Sequence, residues 1–157
     1  MSQEGIAEFG DRTEITDVLY RYAKGIDDKD MQQVLSCFAP DIEMDQLGRK
    51  VVGIDMLSRL LRGEFGGPKS AIGVDRINAS THVLANILIS LNGNSAKADT
   101  QGIAHLYATR DGQDVFLVRG IRYMDEFRKL DGRWAICKRL HTETWQYEAT
   151  PVRLAGN

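Results

Sequence analysis

Hydrophobic positions recur at helical spacing in the first third of the chain and alternate in its second half. Ile15, Val18, Leu19, Tyr22, Ala23 and Ile26 fall at intervals of three and four, which predicts one amphipathic helix. Asp11 or Thr13 supplies its N-cap, with Glu14 in the first turn. Residues 1–10 are mostly small and polar and read as a loosely ordered lead-in. Asp27-Asp28-Lys29-Asp30 interrupts the stripe. Met31, Val34, Leu35 and Phe38 then predict a short second helix, ended by Pro40. Asp41–Val52 reads as a hairpin turning at Gly48, with Asp41, Glu43 and Asp45 on its solvated face. A third helix, Ile54–Arg62, carries Met56, Leu57, Leu60 and Leu61 inward. Gly63–Asn78 holds Gly66-Gly67-Pro68 and has no period, so it is expected to be a loop that acts as a lid or pocket rim.

From Ser80 the period becomes two. Thr81–Leu91, Ala96–Thr109, Val115–Leu130 and Arg133–Tyr147 predict four strands, turned at Asn92-Gly93-Asn94, Asp111-Gly112 and Asp131-Gly132. Strands this long exceed the usual length of about 5–6 residues, so they are expected to curl, with bulges near Gly102 and Gly120. Helices before a meander indicate an α+β layer fold. A strongly curved antiparallel sheet with helices across its open side would enclose a cone-shaped pocket.

Composition narrows the class. The 157 residues suit one domain, and 43% hydrophobic with 27% charged residues is ordinary for a soluble globular chain. A net charge of −2 and a pI near 5.9 give no footprint for nucleic acid or an anionic membrane, so neither is expected as a partner. Cys37 and Cys137 lie in apolar contexts without ligand spacing and are read as buried thiols, not a disulfide or zinc site. No run approaches about 18 apolar residues, and Met1–Gly5 lacks the regions of a signal peptide. The expected location is cytoplasmic. P-loop, Rossmann and G-x-S-x-G patterns do not occur.

The chemistry centres on Ser80–Leu88. Alternation puts His82, Leu84, Asn86 and Leu88 on one face and Val83, Ala85 and Ile87 on the other. Polar and apolar groups sharing a face suggest a pocket wall. Asp27 stands at a helix C-terminal end, where the macrodipole disfavours an anion. Either it caps the turn into Asp30, or it meets an imidazole and orients it. His105 shares a face with Gln101, Ile103 and Tyr107, and Tyr22 lies on the apolar stripe. Asn86 either orients substrate or bonds to backbone. Arg119 and Arg139 either hold a substrate carboxylate or face solvent. His82, His105 and His141 lie on separate strands without metal-ligand spacing, so no metal and no cofactor are expected.

Three pieces then carry a resemblance: the helix from Glu14 to Asp27, the D-x-x-x-V-x-x-x-F phase of Asp30–Phe38, and Tyr123-x-x-x-Phe127 leading into Asp131-Gly-Arg-Trp134-x-Ile136. They resemble the nuclear transport factor 2-like superfamily, and within it the SnoaL-like branch, over about residues 11–148. The resemblance implies a single cystatin-like α+β barrel domain across 1–157. The order Tyr22, Asp27, His82 and then His105, 23 positions on, resembles the scytalone dehydratases and bile acid 7α-dehydratases. It implies catalytic His82, Asp27, Tyr22 and His105; Asn86, Tyr107, Arg119 and Arg139 are taken from their strand positions as candidates to face substrate. The implied activity is a cofactor-independent, dehydratase-type lyase acting on a small aromatic, polyketide-like or sterol-like molecule. A homodimer or homotrimer is implied as well. Retro-aldol cleavage, isomerisation and hydrogen halide elimination stay open. So do epoxide hydrolysis through Asp99, Arg119 and Asp125, and a non-catalytic binding module.

Overall fold

The computed structural model describes residues 2–64 and 72–149. Three helices, α1 (Gln3–Asp28), α2 (Met31–Ser36) and α3 (Ile54–Leu61), accompany six strands. These are β1 (Phe38–Gln46), β2 (Arg49–Val52), β3 (Arg76–Asn92), β4 (Ser95–Arg110), β5 (Gln113–Leu130) and β6 (Arg133–Ala149). They form one curved, unclosed sheet in the order β2-β1-β6-β5-β4-β3. All neighbours run antiparallel except β1 and β6, which pair in parallel. That pairing, invisible to local periodicity, carries the first hairpin onto the meander. The helices cover one face of the sheet, and the core lies between: Ile15, Val18, Leu19 and Tyr22 of α1 are buried with Leu106, Leu117, Tyr123 and Ile136.

Several expected boundaries move. α1 begins at Gln3, capped by the Ser2 hydroxyl, so the polar lead-in is helical, with Ile6 and Phe9 exposed. α2 ends at Ser36, and Phe38 and Pro40 belong to β1. β3 begins at Arg76, inside the stretch expected to be loop. Residues 65–71 of that stretch, which include Gly66-Gly67-Pro68, lie outside the described residues. Cys37 is buried as expected, Cys137 is half-buried, and both are free.

The bulges decide which residues face inward. From Asn92↔Ser95 to Leu88↔Asp99 the β3–β4 register is unbroken; beyond it the pairing shifts by one residue and resumes at Ala85↔Gln101. The extra residue falls at Asn86, whose φ of 51° is left-handed, a conformation Asn tolerates better than most residues. Ile87, Ile89 and Leu91 point to the core on one side of the bulge, and Leu84, His82 and Ser80 on the other. The expected bulge near Gly102 thus sits across from it, in β3. Near Gly120 the extra residue is Thr144 of β6. Gly102 is needed for close approach: a Cβ there would stand 2.9 Å from both Leu84 Cδ2 and the Val83 carbonyl oxygen.

At the centre of the core Arg139 donates two 2.7 Å hydrogen bonds to Asp125, and neither side chain has any exposure. The guanidinium carbon lies 4.2 Å from the ring centroids of both Tyr22 and Tyr123. The register position of Asp125 opposite buried Ala98 is what puts it inside.

Two substitutions probe these features. Asp125→Ala strands a buried cation and should cost about 3–5 kcal/mol, read by urea unfolding. Asn86→Val forces a β-branched residue into the left-handed region and should cost about 1–2 kcal/mol, whereas Asn86→Gly should cost little.

Candidate active site

The end of α1 and the start of β3 meet through Asp27. Its Oδ1 accepts from the Ser80 hydroxyl at 2.7 Å and lies 2.6 Å from His82 Nδ1, and its Oδ2 accepts the His82 backbone N–H at 2.8 Å. α1 has no basic residue in its last turn, so the field that disfavours Asp27 at this end is met by β3 instead. Burial raises the Asp27 carboxyl, but the amide, imidazole and hydroxyl bonded to it outweigh burial and hold it below the usual carboxylate range. It is therefore an anion at neutral pH. The contact fixes the imidazole tautomer with the proton on Nδ1, leaving Nε2 as the basic nitrogen. The His82 side chain retains 11% exposure and that of Asp27 17%, so the pair is sheltered yet reachable.

The same inner face carries further polar groups. The register places His82 opposite Ala104, and Ala104 opposite Arg119. Arg119 is 6% exposed and ion-paired with Glu143. His141 is 7% exposed, edge-on to Tyr123 with centroids 4.9 Å apart. Burial, then the cations Arg139 and Arg119 and the His82 ring, push the His141 imidazole down to about 3, so it is neutral at ordinary pH.

The expected site is partly redrawn. His82 and Asp27 come together, and Tyr22 lies on the interior side. The Tyr22 ring, however, is packed edge-on against Phe38 and Tyr123 at 5.6 and 5.7 Å, over Arg139. His105 does not join them. β4 runs without a break, with Ala98, Thr100, Ala104, Leu106 and Ala108 inward, so His105 faces out and stacks on Phe116 with centroids 6.0 Å apart. Tyr107 is outside for the same reason and donates to Asp114 at 2.7 Å. Asn86, turned outward by the bulge it forms, donates to Gln101 at 3.2 Å. Arg119 and Arg139 are inside, but each guanidinium already has its own carboxylate, Glu143 and Asp125, and neither is open as a fork for a substrate carboxylate. The carboxylate–arginine–carboxylate set for epoxide hydrolysis does not assemble, because Asp99 is on the outer face, paired with Arg122.

The sequence alone assigns no role to His141 or Glu143. Their signal was the alternation Arg139, His141, Glu143, which places three ionisable groups on one strand face. Among the described residues no group of three or more His, Cys, Asp or Glu side chains is placed to hold a metal ion. No described helix is long and apolar enough to cross a membrane.

Comparison with known proteins agrees with this architecture. An uncharacterised protein of Mycobacterium tuberculosis is 26% identical over 147 residues, covering 92% of this chain and 93% of its own. A hexachlorocyclohexane dehydrochlorinase of Novosphingobium barchaimii superposes with a TM-score of 0.80 at 14% identity, covering 98% of this chain and 99% of that one. A scytalone dehydratase-like protein of Novosphingobium aromaticivorans superposes with a TM-score of 0.73 at 20% identity, covering 96% of each chain. At these identities the structural likeness concerns the fold. The model of the SnoaL-like domain matches residues 7–140, and the chain belongs to that family, within the nuclear transport factor 2-like superfamily.

Proposed function

We propose that this chain is a cofactor-independent lyase that eliminates water from a small, ring-containing hydroxy compound, with His82 as the base and Asp27 as its orienting partner. The observation that carries the reading is the Asp27–His82 contact at 2.6 Å on the inner face of the sheet. An imidazole held by a carboxylate at Nδ1 presents Nε2 as a proton acceptor, and the imidazolium that forms is stabilised by the same carboxylate. In the step, His82 Nε2 takes a proton from the carbon next to an activating group. The C–H electron pair becomes the new double bond, and the hydroxyl leaves as water with the proton returned by the imidazolium. Atoms and charge balance without a co-reactant. Two solved structures of the same fold are named for eliminations, a dehydrochlorinase and a scytalone dehydratase-like protein, which favours this reaction class over hydrolysis. Tyr22 serves in this reading by packing over Arg139, and His105, Asn86 and Tyr107 have no part in the step.

Incubating the protein with a panel of small hydroxylated aromatic and sterol-like ketones should give products lighter by one water, detected by mass spectrometry. Products lighter by formaldehyde, or isomers of unchanged mass, would instead assign retro-aldol cleavage or isomerisation. His82→Ala should lower turnover about 10²–10⁴-fold, the usual range for one general acid–base group, with its far-ultraviolet spectrum unchanged. Undiminished turnover by that variant would overturn the assignment of the base.

Asp27 also has a stability signature. Its carboxyl is depressed in the folded state, so its contribution is fully present above the unfolded value of about 3.9 and fades as pH falls through the lower folded value. Asp27→Asn should therefore lose about 1.5–3 kcal/mol at pH 7, the scale of hydrogen bonds to a charged group. The penalty should shrink in acid, and thermal melts at pH 7 and pH 3 would show it.

A further inference from the structure

Three buried nitrogens on the inner face of β5 and β6 have no hydrogen-bond partner: Arg119 Nε, Arg139 Nη1 and His141 Nε2. Such groups are rare in folded proteins, because an unmet buried donor costs about 1–3 kcal/mol. They cluster. His141 lies against Tyr123, whose ring also stacks on Arg139. Glu143, the next inward residue of β6 after His141, holds Arg119. Arg119, Arg139 and the His82 ring all act electrostatically on His141.

We propose that Arg119, with the neutral His141 beside it, forms an oxygen-binding pole opposite His82, and that the substrate is a β-hydroxy carbonyl compound whose carbonyl oxygen that pole receives. The inference rests on His82 being the base and names what activates the proton it removes.

Spacing and charge define the class. His82 and Arg119 flank Ala104 on one face, two strands apart, so their backbones stand roughly 10 Å from each other. Ala104 between them has only a methyl group. A ring compound spans that gap with a C–H toward His82 and an oxygen toward Arg119. Charge excludes a carboxylate as the preferred group. Arg119 is neutralised by Glu143, Arg139 by Asp125, and His141 is uncharged, so the pole offers oriented donors without net positive charge. That arrangement suits a neutral carbonyl whose oxygen gains charge only as the proton leaves, since preorganised donors act most strongly on charge that develops during reaction. The Arg119 N–H, and an imidazole N–H kept uncharged by its cationic neighbours, then stabilise the enolate oxygen while the β-hydroxyl departs.

The test uses 4-nitrophenol, an enolate mimic whose absorbance reports ionisation and binding without turnover. The wild-type protein should bind it as the phenolate, and more tightly than benzoate. The Arg119→Met/Glu143→Met double variant, which leaves no lone charge, and His141→Phe should each weaken binding roughly 10–100-fold, the scale of losing one or two strong hydrogen bonds. His141→Gln, which keeps an N–H, should recover binding relative to His141→Phe. Arg122→Ala, which breaks a similar arginine–carboxylate pair on the outer face of β5, should bind as wild type. Equal affinity across all variants, or tighter binding of benzoate, would overturn the pole. Because binding is read without turnover, that failure is separate from a failure of His82 as base, which shows only in the product screen.

Discussion

The Arg139–Asp125 fork, held between the rings of Tyr22 and Tyr123, is the interaction on which the interior depends. It joins α1, β5 and β6 at one point and is packed by Phe38 of β1. A buried ion pair is costly to desolvate and contributes net stability only with good geometry; here both bonds are 2.7 Å and two aromatic faces sit over the cation. Its consequence for function is positional. The fork fixes the Tyr123 ring, Tyr123 fixes the edge against which His141 stands, and the Arg139 charge helps keep His141 neutral.

The second fixed point is Asp27. A carboxylate in the last turn of a helix is unfavourable unless something outside the helix answers it, and the backbone and side chains of Ser80 and His82 do so. The stitch therefore anchors a long helix to an edge strand and sets the imidazole in one orientation. In the proposed elimination one set of hydrogen bonds has both a structural and a chemical task, so a change at Asp27 would move both.

Much of this was legible in the sequence. Helical spacing located α1, α2 and α3, and the N-G and D-G turns located the meander. The unfavourable placing of Asp27 pointed to a partner. The features that were not legible were consequences of single residues acting across strands. The Asn92–Ser95 turn sets a register which, continued without a break, would bring His82 opposite His105, with both facing outward. The one-residue bulge at Asn86 turns His82 inward and leaves His105 outside. Alternation counted along β3 alone misses this, because the pattern His82-Val83-Leu84-Ala85 is the same with or without a bulge at Asn86. Arg119 and Arg139 were ambiguous for a related reason: their fate depended on whether Glu143 and Asp125 shared their face, which only the β5–β6 register decides.

The pairing of Arg119 and Arg139 each with its own carboxylate has one more consequence. An unpaired arginine on the inner face would attract any small anion and hold it in the ground state, which adds binding without adding rate. With Glu143 on Arg119 and Asp125 on Arg139, the interior presents directed N–H groups from guanidiniums that each already have a carboxylate partner. Under the proposed elimination such a surface would discriminate by where charge appears during reaction, not by the charge a molecule carries on entry. On the outer face the similar Arg122–Asp99 pair is about 40% exposed and screened by water. Similar pairs on the two sides of one strand thus differ in consequence, and the difference lies in burial, which on the inner face leaves the Arg119 Nε–H without a protein acceptor.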